Sequence, residues 1–251
     1  ISGVQAGAMT TVQLAQLSGS AINRLTAAQF AVLSGMQTTL LTAAQIGAIA
    51  PDRFAALSDS GRNALSAGAV AALNAGQLDA LSPVQVGTLS NIEQIASTEL
   101  ALTSTAFIGG ITLSQAAKLT SGQIGALTQQ QFAVLSQNDG AALQPGSFAG
   151  LSDADLAIAG PSVVSRFVPQ DIAAFRTDQI ASIGAFASLT DGALHTISGL
   201  QLAAVTAAQL AQLAGAGINR LTVSQIAGLG DSQIASLNSA QIAAITPDRF
   251  G

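Results

Sequence analysis

The stretch LSPVQVGTL at residues 81–89 is one unit of a pattern that runs almost unbroken along the chain. The pattern repeats every eight residues and reads apolar, Ser or Thr, any, any, Gln, apolar, small, small, numbered here as positions one to eight. Position two is Ser or Thr in 21 of the 32 units, and position five is Gln in 16 of them. Such regularity predicts an array of one repeated element.

The spacing within a unit predicts a short helix. A Ser or Thr followed three residues later by Gln is a capping box, and the apolar residues at positions one and six match a hydrophobic staple. Proline is favoured at the first position of a helix and damaging in its interior. All six prolines fall at position three, the first helical position: Pro51, Pro83, Pro145, Pro161, Pro169 and Pro247. Each helix is too short to be stable alone, so the units must stack.

We therefore predict an all-α solenoid of very short capped helices. A β-solenoid is the alternative, because short repeats often build one. Positions one and six have opposite parity, so their side chains would point to opposite faces of an uninterrupted strand. The abundance of Ala, Leu and Gln also favours helix over strand.

The repeat predicts one continuous array over residues 1–251, without a linker. Two units have six residues instead of eight, at 89–94 and 183–188. A longer repeat of 196 residues is superimposed: residues 1–196 form one copy and 197–251 begin a second, with 31 identities in the 55 pairs that align 1–55 with 197–251. This length is either a structural period, such as one of packing between neighbours, or the mark of a recent duplication.

Composition excludes several classes of protein. The chain has no Cys, so it can form no disulfide, and one His. Its net charge of −5 argues against nucleic-acid binding, which needs basic clusters. Apolar residues make up 49% of the chain, but Ser, Thr or Gln recurs every few residues, so we expect no membrane span. The chain begins at Ile1 without Met or a signal-peptide pattern, and we expect it to be a segment of a longer one.

We expect no catalytic, cofactor-binding or metal-binding residue, and therefore no enzyme. His195, with Asp191 four residues before it, lacks the positioned nucleophile that a general base serves. Asp153 and Asp155 are explained by their helix-start positions, and no calcium-binding pattern accompanies them. The Gly-rich sites at 109–110 and 215–217 lack the strand and helix context of a phosphate loop.

The arginines are better candidates for specific contacts, because charged residues make up only 8% of the chain. INRLT at 22–26 recurs at 218–222, and PDRF at 51–54 recurs at 247–250. These repeats keep two pairs of arginines in register: Arg24 with Arg220, and Arg53 with Arg249. Arg53 follows Asp52 and replaces the Gln at position five, so a local role at the surface is its default interpretation.

The Leu-Thr-x-x-Gln motif is found at residues 25–29, 41–45, 127–131 and 221–225. Each copy resembles the motif that names a small periplasmic chaperone family, but capping alone explains these five residues, so that function is not carried over. In tandem, the units resemble the octad arrays of very large exported or surface proteins of Gram-negative bacteria. That resemblance implies secretion and a structural or adhesive role.

We therefore predict a structural repeat protein at the cell surface or outside the cell. It would be a segment of a giant exported chain that associates with itself into a fibre, sheath or stalk, because a surface with few charges offers little repulsion. The alternative is an adhesin or scaffold whose solenoid binds a protein or a glycan. Ice binding through regular Thr residues ranks third, since capping already uses those hydroxyls. No cofactor is expected.

Overall fold

The computed structural model describes residues 2–144 and 146–249, and helices are the only regular elements within these ranges. The all-α prediction is confirmed, and the β-solenoid alternative is wrong. Contacts divide the chain into two compact units, Ile1–Ala142 and Leu143–Gly251, which are described separately below. The prediction of one continuous array over residues 1–251 stays a prediction.

The first unit is built of helices that are mostly four to six residues long. They are α1 (Gly3–Gly7), α2 (Thr11–Ala15), α3 (Gly19–Ile22), α4 (Ala27–Ala31), α5 (Gly35–Thr39), α6 (Ala43–Ala48), α7 (Pro51–Ala55), α8 (Asp59–Asn63), α9 (Ala67–Ala71), α10 (Ala75–Asp79), α11 (Pro83–Val86), α12 (Ser97–Ala101), α13 (Thr105–Gly109), α14 (Leu113–Ala116), α15 (Ser121–Ala126) and α16 (Gln129–Asp139). Short 3-10 turns occupy Ile92–Gln94 and Gly140–Ala142.

The second unit has the same construction. Its helices are α17 (Asp153–Ile158), α18 (Pro161–Val164), α19 (Pro169–Ala174), α20 (Thr177–Ser182), α21 (Asp191–Thr196), α22 (Gly199–Ala204), α23 (Ala207–Gln212), α24 (Val223–Ala227), α25 (Asp231–Ala235) and α26 (Ser239–Ala244). The 3-10 turns are Ser147–Gly150, Phe186–Ser188, Gly215–Arg220 and Pro247–Arg249. Within the residues described in either unit, no helix has the length and apolar character needed to cross a membrane.

The helices begin where the capping pattern predicts. At α6, the hydroxyl of Thr42 accepts a hydrogen bond from the Gln45 backbone N–H at 3.2 Å, and Oε1 of Gln45 accepts one from the Thr42 N–H at 2.9 Å. Where position two lacks a hydroxyl, as at Arg176 and Gly230, the Gln three residues later still accepts the N–H of the cap residue. The reciprocal bonds satisfy N–H groups that a helix start otherwise leaves without partners.

The prolines occupy the predicted positions. Pro51, Pro83, Pro161 and Pro169 are the first residues of α7, α11, α18 and α19. Pro247 opens the last 3-10 turn, and Pro145 lies outside the described residues. The register of the octad is therefore confirmed at the described prolines.

Within each unit, the helices wind into a solenoid with three sides. Each helix packs against the third one after it, with the six-residue turns counted as helices: α1 on α4, α2 on α5 and α3 on α6 in the first unit, and α17 on α20 in the second. Three octads therefore make one turn. The residues at positions one and six fill the interior, as Ile46 and Ile49 do at 0% and 2% exposure. Stacking supplies the burial that one octad lacks.

The two six-residue units keep their place in the solenoid by forming 3-10 turns. Their central apolar residues, Ile92 and Phe186, are fully buried like the position-six residues of the octads. A 3-10 helix rises further per residue than an α-helix, so fewer residues can span one side of the solenoid. The shortened units thus preserve the core.

The predicted separate helix of the unit at 135–142 is wrong, because α16 continues through Ser136 to Asp139. The sequence of this unit has Asp at position five and Gly140 at position six, so it lacks both the capping Gln and the apolar residue of the staple. Ser136 instead donates its hydroxyl hydrogen to the Ala133 carbonyl at 3.0 Å. Without a new cap, the preceding helix does not stop.

Gly184, in the second six-residue unit, is a position where a side chain cannot fit. Its N–H donates to the Leu156 carbonyl at 3.0 Å, and an added Cβ would overlap the carbonyl oxygen of Ala157. We expect Gly184→Ala to lower the free energy of unfolding by about 1–3 kcal/mol. Gly199→Ala is the control, because a Cβ at this first residue of α22 meets nothing within 4 Å. Urea unfolding of both variants is followed by circular dichroism. Equal midpoints for the two variants would contradict this placement of Gly184.

Candidate functional site

The Gln at position five makes hydrogen bonds in two directions. In α6, Oε1 of Gln45 accepts the N–H of its own cap residue, while Nε2 donates to the carbonyls of Leu14 and Leu17 at 2.9 and 2.8 Å. Those carbonyls lie one turn earlier, where α2 ends and the chain enters α3. One buried carboxamide therefore caps a helix and joins two turns of the solenoid.

The same pair of bonds recurs along both units. The acceptors lie 31 and 28 residues before the Gln, or 29 and 26 where a six-residue unit intervenes. The glutamines that donate to two such carbonyls include Gln77, Gln115, Gln123 and Gln131 in the first unit, and Gln201, Gln209, Gln225, Gln233 and Gln241 in the second. The bonds form a ladder of buried amides through each unit.

A carboxylate replaces the amide at two sites where the preceding turn presents a donor. Asp171 accepts from its cap residue, Val168, at 3.0 Å and from the Gly146 N–H at 2.8 Å. Glu99 accepts from the Ala75 N–H at 2.8 Å. Burial raises the pKa of the Asp171 carboxyl, and the two N–H groups oppose that shift in part. At Asp171 and Glu99, the acid at position five thus matches the N–H group that faces it.

Asp153 and Asp155 do not converge on a common site. Asp153 is exposed and lies 3.4 Å from the Arg176 guanidinium, which also pairs with Asp178 and holds the pKa of that exposed carboxyl below its usual value. Asp155 is buried and accepts from the Ser152 hydroxyl at 2.6 Å, while its other oxygen has no partner among the described residues. The interpretation of both as helix-start residues is consistent with these positions.

His195 and Asp191 both contact Arg220 rather than each other. Nε2 of His195 lies 2.9 Å from the Arg220 carbonyl oxygen, and Asp191 pairs with Nε of Arg220 at 2.7 Å. Arg220 also donates to the carbonyls of Ala187 and Leu189 on the turn before. These three side chains brace one turn against the next.

Two other recurring arginines likewise reach the preceding turn. Arg53 binds the side-chain oxygen of Asn23 at 2.9 Å, and Arg249 binds the Leu221 carbonyl at 2.7 Å. The Arg24 side chain is exposed, and within the described residues it makes no hydrogen bond or ion pair; only the Arg24 backbone N–H donates, to the Ala21 carbonyl at 3.1 Å. The local role is thus observed at Arg53, Arg220 and Arg249, and a 196-residue period of packing between molecules stays a prediction.

Arg62 was not predicted as a functional residue; it lies fully buried at position six, where the period predicts an apolar residue. Its guanidinium donates to the carbonyls of Leu57 and Ala55 and to the Thr88 hydroxyl at 3.0 Å, and it pairs with Asp59. The break in the apolar pattern was the signal that could have found it. A guanidinium inside the solenoid wall requires this many acceptors to offset its desolvation.

Asp59 and Thr88 form part of an open groove of about 350 Å³ on the first unit. The polar side chains that line it include Asp59, Asn63, Thr88, Ser90, Thr112 and Lys118. Lys118 is the only lysine of the chain. Charged residues are scarce in the chain, and this groove brings two of opposite sign together, Asp59 and Lys118.

A second surface feature is a line of exposed apolar side chains at position four. Val12, Met36 and Val84 are 61%, 78% and 79% exposed and lie on α2, α5 and α11. α2 packs on α5 and α5 on α8, and Arg62 of α8 binds Thr88 beyond the end of α11, so these helices follow one another on one side of the solenoid. Between Met36 and Val84, α8 carries the exposed polar residue Ser60 at position four. We call Val12, Met36 and Val84 the apolar stripe.

The chain has few similarities to known proteins. No family model matches it, and no curated protein does. Among solved structures, it is similar to the leucine-rich repeat-containing protein LegL7 from Legionella pneumophila, at 14% identity over 93% of this chain and 77% of that one, with a TM-score of 0.28. So low a TM-score adds nothing to the argument from the helices themselves, which identify the chain as a repeat protein with a solenoid fold.

Proposed function

We propose that this chain is a structural repeat protein that associates side by side with copies of itself, as a segment of a longer exported chain that forms a fibre, sheath or stalk. The observation that carries the proposal is the apolar stripe on a surface with few charges. The extracellular location follows from the resemblance to octad arrays of exported bacterial proteins.

The ladder of glutamines favours such a role because it uses the polar groups of the solenoid internally. The Gln amides and the carbonyls that they bind are satisfied within the chain, as at Gln77, whose side chain is fully buried. The exposed positions are then left mainly to small and apolar side chains. Exposed apolar side chains on one side of the solenoid, such as Val12 and Met36 on successive turns, offer a surface for association.

The low charge removes the usual obstacle to that association. Charged residues make up 8% of the chain, and the net charge is −5. Mixed charges and net charge keep protein surfaces apart. Copies of this chain therefore meet little repulsion when their apolar stripes approach.

We expect the purified chain to form assemblies that grow with concentration in sedimentation velocity and appear as ordered particles in electron microscopy. The double variant Met36→Lys/Val84→Lys places two charges on the apolar stripe and should shift the chain to monomer. Gln94→Lys/Gln137→Lys adds the same charge at exposed polar positions of the same unit and should leave assembly intact. A wild-type chain that stays monomeric at every concentration, or equal loss in both variants, would overturn the proposal.

A further inference from the structure

Several departures from the octad pattern meet at the groove on the first unit. Arg62 is a charged residue at a core position, and the six-residue unit at 89–94 contributes Ser90. Lys118 is the only lysine in 251 residues. In so regular a chain, three independent irregularities at one place call for a common explanation.

The buried arginine is not required by the fold. On the same side of the solenoid, the position-six residues Leu14 and Val86 are apolar and fully buried. Replacing a buried ion pair with apolar side chains of similar volume is often neutral or stabilising. The reason for burying Arg62 must therefore lie in the side chains that its guanidinium orients.

Arg62 orients two groups that line the groove. It pairs with the carboxylate of Asp59, whose side chain stays 73% exposed, and donates to the Thr88 hydroxyl at 3.0 Å. The Asp59 carboxylate is thus fixed from behind by a rigid donor and open to solvent in front. Such an acceptor is prepared for ligand hydroxyl groups without further ordering.

The six-residue unit orders the wall of the groove that Ser90 and Asn63 form. Asn91 adopts a left-handed conformation with φ of 55°, and its side chain donates to the Leu65 carbonyl at 3.0 Å. Next to it, the Ser90 hydroxyl donates to the side-chain oxygen of Asn63. The amide and hydroxyl groups on this wall are therefore held by bonds to the neighbouring turn.

Lys118 supplies a cation without a partner. It is exposed, it lines the groove, and within the described residues of the chain no carboxylate pairs with it. The groove thus combines a free ammonium group with a fixed carboxylate, an amide and hydroxyls, in a volume within the range of small-ligand sites. None of the residues that line the groove is aromatic, so a nucleobase would have no side chain to stack on.

We infer that this groove binds a saccharide that carries a carboxylate, such as a uronic acid unit of an acidic glycan. Lys118 would pair with the ligand carboxylate, and Asp59 and Asn63 would bond the sugar hydroxyls. This site is separate from the apolar stripe and does not depend on self-association.

The test is calorimetric titration with a hexamer of galacturonic acid, with maltohexaose as the neutral sugar and hexaglutamate as a polyanion that is not a sugar. We expect the uronate to bind, maltohexaose to bind more weakly, and hexaglutamate not to bind. Lys118→Gln should raise the Kd for the uronate about tenfold by removing a charge-assisted bond. Arg24→Gln is the control, because Arg24 lies in the same unit and its exposed side chain has no partner among the residues that the structure describes.

Two results would overturn the inference. One is the absence of uronate binding at millimolar concentration by a folded chain. The other is equal binding of hexaglutamate together with equal losses in Lys118→Gln and Arg24→Gln, which would mean attraction by charge alone. Titrating the uronate into the Met36→Lys/Val84→Lys variant tests the groove independently of self-association. That variant changes the apolar stripe and none of the residues that line the groove.

Discussion

Ile46→Pro should unfold the turns around α6, whereas Ala43→Pro, three residues earlier in the same helix, should be tolerated. Ile46 is fully buried, and its N–H donates to the Thr42 carbonyl at 2.9 Å. Proline removes that donor at a cost of about 3 kcal/mol or more, and the loss of the buried side chain adds about 2–5 kcal/mol. We therefore expect the variant to lose at least about 5 kcal/mol.

Ala43 is the first residue of α6, where an N–H has no acceptor within the helix and proline is favoured. The preceding Thr42 already has the extended conformation that a following proline requires, with φ of −77° and ψ of 160°. Ala43→Pro should therefore be neutral or stabilising by about 0.4–1 kcal/mol.

Hydrogen exchange read out by mass spectrometry would locate the damage. In Ile46→Pro, protection should fall first in α6 and in α3 and α9, which pack against it. Ile46→Ala separates the lost side chain from the lost N–H. Similar unfolding midpoints for Ile46→Pro and Ala43→Pro would show that the octad register is misplaced.

The register could be predicted from sequence because its determinants are local. The hydroxyl of Thr42 and the amide of Gln45 lie three residues apart, and their spacing alone implies a capping box. The position of Pro51 at a helix start is equally local. The same reasoning explains the exception at α16, where the next unit has the hydroxyl of Ser136 but lacks the Gln of the capping box and the apolar residue of the staple.

The number of helices per turn could not be predicted, because every octad offers the same apolar positions to its neighbours. The second role of Gln45 depends on that number, since its partner Leu14 lies 31 residues earlier. One signal was present in the sequence. Glu would cap a helix as well as Gln and suit the helix dipole better, yet Gln occupies position five in 16 units and the only two Glu residues are Glu93 and Glu99. This preference for an amide indicates that a donor is required.

The groove could not be predicted from the sequence, because it too depends on the number of helices per turn. Asp59, Thr88 and Lys118 fall at outward positions of three different octads, 29 and 30 residues apart, so each alone is an ordinary surface residue. Only the three-helix turn brings them to one concavity. Arg62 broke the apolar pattern visibly, but its partner Thr88 lies 26 residues away and depends on the same turn.

Gln77→Glu should test the ladder directly. The carboxylate can still accept the Asn74 N–H, but it would face the carbonyls of Ile46 and Ile49, to which Nε2 of Gln77 now donates at 2.7 and 2.8 Å. Two buried acceptors lose their donor, and a negative charge is buried beside them. We expect a loss of roughly 3–5 kcal/mol at neutral pH.

This loss should depend on pH in a definite direction. Burial beside two carbonyl oxygens disfavours the charged form, so the pKa of the introduced carboxyl in the folded variant is raised above its unfolded value. The variant is then closest to the wild type in acid, below the unfolded pKa, and loses stability as the pH rises through the folded pKa. Urea unfolding at a series of pH values, with the wild type measured in parallel, gives the difference.

Gln13→Glu is the matched control, because Gln13 is exposed and makes only the local bond to Thr10. An acid in the first turn is favoured by the helix dipole. The free energy of unfolding of Gln13→Glu should therefore stay within about 0.5 kcal/mol of the wild-type value. If Gln77→Glu were as stable as Gln13→Glu at neutral pH, the amides would serve only as caps. The cohesion between turns would then come from the apolar residues at positions one and six alone, and Glu would be as acceptable as Gln throughout the array.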